Sequence, residues 1–331
     1  MSSIGNCFLV FTIVCLMVFG RVRTTDDYEE FTIFLQPSSH LLGKESYAYN
    51  VEETKKSFTV YWNVPSIMCQ SHGIVFNLSD FGIRQNAGDE FRGKTSVILY
   101  DPGVFPALLK EERDRKVKMT ERNGGVPQNG NLTMHLEKFK ADVENVIPDA
   151  KFSGIAVIDI EYWRPVWRQN WDSLDIYRQL SRETEKIKHP SWTDGQIEKE
   201  AKSNFEKYAR IFMEETLKLA RELRPGGKWG YYAFPHCFNY DLMPSCNKTV
   251  MDENDQIHWL FEASSAIFPS VYLSDKNEGN KGFITGGVAE AMRVVANTST
   301  PVYAYDDTFK SLEIPKSLEA DGVMIWGSSD Y

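Results

Sequence analysis

Gly154-Ile-Ala-Val-Ile-Asp-Ile-Glu161 decides how this chain is read, together with the Tyr162-Trp-Arg-Pro-Val-Trp-Arg-Gln-Asn-Trp171 that follows it. Ile155 to Ile158 is an unbroken apolar run between a glycine and an acid. Such a short continuous run suits a strand buried on both faces of a parallel sheet. Asp159 and Glu161 stand at i and i+2, so both leave the strand on one face, with Cα atoms ~6.5–7 Å apart. In a barrel, the C-terminal strand ends form the catalytic face. One of two carboxylates so placed is expected to hold a proton near neutral pH and act as an acid. A bare Asp-x-Glu is as readily a capping or salt-bridging pair. Three Trp and two Arg in the next ten residues shift the reading toward a sugar-lined groove, where rings stack on pyranose faces and Arg meets carboxylates.

Similar runs recur on either side. Ser57–Trp62 alternates with period two, and Thr95–Tyr100 is apolar up to Asp101-Pro-Gly103. Trp229–Phe234, Ala266–Leu273, Pro301–Tyr305 and Gly322–Trp326 continue the series. Helical spacing is expected over Leu132–Val146, Ile197–Leu223, Asp255–Ala263 and Val288–Ala296. In the second of these Phe205, Tyr208, Ala209, Phe212, Met213, Leu217, Ala220 and Leu223 form one stripe. The alternation predicts an α/β fold, a single (β/α) barrel over 57–331.

The leader is short. Met1 to Gly20 is apolar and precedes Arg21 and Arg23, which reads as a signal peptide over 1–20, with a signal anchor as the alternative. Residues 21–56 are polar and acidic and read as a loosely ordered extension. Cys7 and Cys15 would leave with the leader. Of Cys69, Cys237 and Cys246, the last two are close enough in sequence to bridge. Cys69 is then the odd one of three, expected as a thiol or bridged to something outside this chain. Four sequons, at Asn77, Asn131, Asn247 and Asn297, read as glycan acceptors once the chain is secreted.

Composition narrows the function. The 331 residues are 42% hydrophobic and 25% charged, with a net charge of −9. That balance argues against a nucleic-acid binder, and the one long apolar run argues against a polytopic membrane protein. Aromatics make up 13%. No zinc spacing, His-Glu-x-x-His, P-loop, nucleophile elbow or dinucleotide fingerprint is present, so no metal and no cofactor is expected. The remaining strand ends carry Tyr100-Asp101, Tyr231-Tyr232, Ser270 with Tyr272, Asp306-Asp307, and Trp326 with Ser328. Each alone fits packing; together they line the rim of a binding face.

These stretches, with Val60–Pro65, Leu99–Pro106, Arg122–Gln128, Trp229–Asn239 and Gly322–Asp330, make the chain similar to the animal and venom hyaluronidases, a glycoside hydrolase family, in the insect secreted (venom or salivary) form. The resemblance implies a distorted TIM-like barrel, a secreted monomer and an allergen-type glycoprotein, with no nucleic-acid or membrane partner. It implies hydrolysis of the β-1,4 bond after N-acetylglucosamine in hyaluronan, with chondroitin as a side substrate. The implied route is retaining and substrate-assisted. Glu161 is then the acid and base, and Asp159 orients the acetamido group. Tyr232, Tyr272 and Trp326 enclose that group, while Tyr100, Asp101, Arg164, Ser270 and Asp306 hold neighbouring sugars. Three departures stand out. The implied cysteine partner of Cys69 lies beyond the last strand and is missing, with its closing segment. Tyr305–Gly322 is short. His236 and Phe238 replace acidic or phenolic side chains. A chitinase-like hydrolase is disfavoured because Val157, not an acid, precedes Asp159 by two. An inactive glycan-binding relative is the alternative from another class.

Overall fold

The computed structural model describes residues 57–113, 116–240, 243–272, 281–306 and 312–327; the leader and the N-terminal extension lie outside them. Seven strands belong to the barrel wall: β1 Thr59–Asn63, β2 Arg84–Gln85, β3 Ser96–Tyr100, β6 Ile155–Asp159, β7 Lys228–Tyr231, β8 Tyr303–Asp306 and β9 Gly322–Trp326. All their pairings are parallel, in the orders β3-β6-β7 and β2-β1-β9-β8. The two arcs meet through residues 266–270, where single bridges join Tyr232 to Phe268, Ile267 to Val302 and Ser270 to Tyr305. A regular strand was expected there. Pro269 has no N–H to give to a ladder, and only its carbonyl is used, by Tyr305 N–H at 2.8 Å.

The opposite seam is closed by side chains. Asn86 Oδ1 accepts from Thr95 N–H at 3.0 Å and Ser96 N–H at 3.1 Å, its amide donates to Ser96 O at 2.9 Å, and Thr95 Oγ1 donates to Gln85 O at 3.0 Å. No ladder runs from β2 to β3 among the described residues. The ring is therefore a distorted barrel held at one seam by an asparagine. Outside it, β4 Ala107–Arg113 and β5 Lys116–Arg122 form an antiparallel hairpin.

Strand parity separates two cores. Tyr61, Ile98, Ile155, Val157, Ala266, Phe268, Tyr303, Tyr305 and Met324 fill the barrel interior. Their neighbours, such as Trp62, Leu99, Ile158, Trp229 and Ile325, face the helices. Gly230 occupies an inward position where a Cβ would stand 2.1 Å from Ala266 O, so glycine lets β7 approach the 266–270 segment.

The helices are α1 Ile67–Gln70, α2 Leu132–Val146, α3 Asp175–Lys188, α4 Asp194–Leu223, α5 Lys248–Gln256, α6 His258–Ala263, α7 Lys281–Val294 and α8 Glu313–Ser317. α2 is found as expected. α4 begins a turn early, behind a capping box of Thr193 and Gln196, and buries the expected stripe except Tyr208 and Leu223, which are half-buried. The expected Asp255–Ala263 helix is two elements broken at Ile257, and the expected Val288–Ala296 helix begins at Lys281.

Cys237 and Cys246 are bridged, with Cα atoms 5.1 Å apart. Cys69 is disulfide-bonded as well, so the thiol expected from counting three mature cysteines is not found; its partner lies outside the described residues. All four sequon asparagines are exposed. Asn131 and Asn247 cap α2 and α5 through Oδ1, which leaves the amide nitrogen, the atom a glycan would take, outside the cap.

Candidate active site

The inward rows that fill the barrel end, one pleat further on, in polar groups. Ile98 is followed by Tyr100, Val157 by Asp159 and Glu161, Tyr303 by Tyr305, and Met324 by Trp326. These side chains, with Tyr232 and Tyr272, line one cavity of about 180 Å³ at the C-terminal ends of the strands. The period of two that packs the interior thus also builds the site.

Asp159 is half-buried at the end of β6, while Glu161, just past the strand, is exposed to the groove. Burial, then Glu161 and Asp101, push the Asp159 carboxyl up to about 7. Its Oδ1 is buried with no hydrogen-bond partner. The expected protonated member of the pair is therefore Asp159, the deeper of the two.

The walls are aromatic. The Trp326 indole N–H donates to Tyr100 OH at 2.8 Å, and burial pushes the Tyr100 phenol up to about 12. Tyr272 lies edge-on to Trp326 at 5.7 Å and to Tyr232 at 6.4 Å. Tyr232 and Ser270 share a hydrogen bond of 3.0 Å between their hydroxyls. Asp306 ends β8 in register with Ile325.

Two expected sugar contacts are engaged within the protein. Asp101 accepts from the two terminal guanidinium nitrogens of Arg122 and from Tyr162 OH at 2.8 Å. Asp101 thus presses on Asp159 through its charge. Arg164 is stacked between Phe238, at 4.9 Å, and Trp171, at 5.8 Å, and donates to Gln169 O at 2.7 Å. Burial beside these rings lowers its pKa, and Tyr240 and Glu161 act in the opposite sense.

The loop after Glu161 corrects one expectation. Trp163 and Trp167 are buried core residues, not groove walls. Their indoles donate to Pro106 O at 2.8 Å and Glu198 Oε1 at 2.9 Å, and both rings pack edge-on against Phe205 of α4. Arg168 pairs with Glu253. Only Trp171 of the three is exposed. Tyr305, by contrast, was not singled out from the sequence. Its ring is buried against Tyr232 at 5.2 Å, and its hydroxyl has no partner although it lines the cavity. Its place on the Tyr303 parity was the available signal. Among the described residues, no group of three His, Cys, Asp or Glu side chains could hold a metal, and no helix is long and apolar enough to cross a membrane.

A family model described as hyaluronidase matches residues 50–329. The chain is 45% identical over 317 residues to a hyaluronidase of Apis mellifera, covering 88% of this chain and 82% of that one. It is 43% identical over 301 residues to hyaluronidase A of Vespula vulgaris, covering 84% and 90%. The crystal structure of bee venom hyaluronidase in complex with a hyaluronic acid tetramer superposes with a TM-score of 0.77 at 46% identity, covering 83% of this chain and 91% of that one.

Proposed function

The chain belongs to the hyaluronidase family of glycoside hydrolases, and from that premise we propose that it is a secreted, monomeric endoglycosidase that cleaves hyaluronan, and chondroitin more slowly, in the groove over Asp159 and Glu161. One observation carries the catalytic assignment. A half-buried carboxyl raised to about 7 sits beneath an exposed one, inside a cavity walled by Tyr100, Tyr232, Tyr272, Tyr305 and Trp326. An acid must reach the glycosidic oxygen, and the exposed Glu161 is the one placed to do so. An orienting group must sit under the sugar, and Asp159 does, with Oδ1 unpartnered and ready to meet an amide N–H.

Bond changes follow from those positions. With the substrate amide N–H donating to Asp159 as a carboxylate, the one proton of the pair is held by Glu161, which gives it to the leaving oxygen as the C1–O bond breaks. The acetamido carbonyl oxygen closes on C1, and Asp159 holds the nitrogen as positive charge develops on the ring formed. Glu161, now a carboxylate, takes a proton from water, whose oxygen attacks C1 on the face the leaving group left as the bond from C1 to the acetamido oxygen breaks and the acetamide is restored. Two displacements give net retention, as in other substrate-assisted glycosidases. Tyr232, Tyr272 and Trp326 fix the acetamido group in its attacking pose, which is the proximity contribution. Arg164, half-buried between two rings, is the cation assigned to the neighbouring uronate carboxylate.

Secreted full-length protein incubated with polymeric hyaluronan should clear its turbidity and yield even-numbered oligosaccharides. Protein that binds the polymer without clearing it would mark an inactive glycan-binding relative and overturn the assignment.

A further inference from the structure

A second and larger cavity, about 380 Å³, opens at the other ends of the same strands. Thr95 precedes β3, Ile155 opens β6 and Lys228 opens β7, and all three line it. The catalytic groups Tyr100, Asp159 and Tyr232 lie four residues or so further on, ~13 Å along the strands. Its lining carries Arg84, Lys94 and Lys228 and neither Asp nor Glu, in a chain whose net charge is −9. Tyr61 forms part of the floor, with the Arg84 guanidinium 5.9 Å from its ring. Lys228 Nζ donates to Tyr303 OH at 2.8 Å, which leaves two ammonium protons for a ligand. Hydroxyls of Ser79, Thr95 and Ser153 complete the lining.

The nearby acids do not neutralise this group. Asp149 lies 3.6 Å from Lys94, with both side chains well exposed, a pairing of small worth. Asp321 accepts from Val302 N–H at 2.8 Å and its charge is felt at Tyr303, but it does not line the cavity. Among the described residues no ion pair involves Arg84 or Lys228. Three cations around a concavity with low-dielectric walls focus a positive potential there, and a guanidinium fork matches a planar or tetrahedral oxyanion. We propose that this cavity is an exosite for the carboxylate or sulfate-ester oxyanions of a glycosaminoglycan, on the face opposite cleavage. The anion site stands on its lining alone; a glycan as the source rests on the substrate proposed for the Glu161 groove.

The experiment compares the wild-type chain with the Arg84→Met, Lys94→Met double variant. Both side chains are exposed, and neither belongs to the catalytic cavity, so kcat on a hyaluronan hexasaccharide should be unchanged and certifies the fold. Inorganic sulfate should raise the wild-type melting temperature along a saturating curve. The variant should keep only the linear rise that sulfate gives any protein by exclusion. At low salt, KM for polymeric hyaluronan should rise roughly two- to fivefold in the variant, the size of one or two exposed charge contacts, with the hexasaccharide KM unmoved. Identical sulfate curves would overturn the site whatever the enzyme does. Loss of sulfate saturation with an unchanged polymer KM would overturn the glycan as its occupant. So would displacement of sulfate by an Asp-Asp-Tyr-Glu-Glu peptide, copied from residues 26–30, where a chondroitin sulfate tetrasaccharide fails to displace it.

Discussion

At the scale of single residues, the proposed mechanism divides its work between two acids of unequal depth. Glu161→Gln should fold and secrete normally and lose ~10²–10⁴-fold in kcat, the usual loss for a general acid; wild-type turnover in that variant would refute the assignment. Asp159 makes a separate thermodynamic statement. Its carboxyl titrates near 3.8 when unfolded and about 7 when folded. Between those values the native state binds the extra proton, so stability falls as pH rises through that window. Asp159→Asn removes the ionisable group. Its melting temperature should match wild type near pH 4 and exceed it at pH 8, by roughly 2–4 °C for each kcal/mol released. Activity should fall in the same variant. A constant difference between the two proteins across pH 4–8 would mean Asp159 is not perturbed. Tyr305→Phe tests the orphaned hydroxyl. An unpartnered buried hydroxyl stabilises nothing, so thermal stability should hold or rise, while turnover drops if the substrate is its partner.

Among the elements, α2 carries an acid-sensitive contact. His135 is wholly buried. Its Nδ1 accepts from Val104 N–H at 3.1 Å. Thr216 donates its own proton to Phe212 O at 2.6 Å, so the 2.8 Å contact of His135 Nε2 with Thr216 Oγ1 is a donation by the ring. Gly103, at φ +74°, passes so close that a Cβ would lie 2.7 Å from the imidazole. Burial, then Arg122, lower the His135 pKa to about 3 from 6.5. The neutral ring's stabilisation is complete above 6.5 and is lost as pH falls toward 3. His135→Gln should be less stable at pH 7 by ~1–3 kcal/mol, because Val104 N–H and Thr216 Oγ1 would be left buried without their ring partner, and should lose less of its stability between pH 6 and 4. Parallel slopes in acid titrations followed by circular dichroism would refute this. The elements also show what a sequence can reveal. Six of the seven barrel strands were legible as apolar or alternating runs; β2, the polar pair Arg84-Gln85, was not, and the run at 266–273 forms only single bridges. The β4–β5 hairpin was not legible either, since its polar strands lie outside the ring. Helix α3 escaped too: it buries Tyr177, Ser181 and Glu185, which carry no hydrophobic period. Trp163 and Trp167 were misassigned because a tryptophan near a site reads alike whether it faces sugar or core, and only α4 supplies Phe205 to decide it.

The whole molecule sets a negative chain against a negative polymer, and the balance between them is local. Net charge −9 repels hyaluronan at distance, but at physiological ionic strength exposed charges beyond ~8 Å are largely screened. In the proposed binding mode attraction comes from cations at contact distance, foremost Arg164, fixed between Phe238 and Trp171 and close enough to Glu161 to feel its charge. Contact attraction should therefore outweigh the scattered repulsion. KM for hyaluronan should rise a few-fold as salt increases from about 0.05 to 0.5 M, a range over which the Debye length shrinks from more than 10 Å to less than 8 Å, with kcat nearly constant. Two substitutions separate charge from stacking. Arg164→Gln should raise KM and flatten its salt dependence, because the charge is gone. Arg164→Lys should raise KM while keeping the slope, because a lysine retains the charge but neither the planar fork nor the ring contacts. A flat wild-type profile would sink electrostatic docking, and a KM that falls with salt would show that the global repulsion dominates. If the lysine variant loses the slope as well, the arginine acts by shape, and the cations that steer the polymer must be sought elsewhere on the surface.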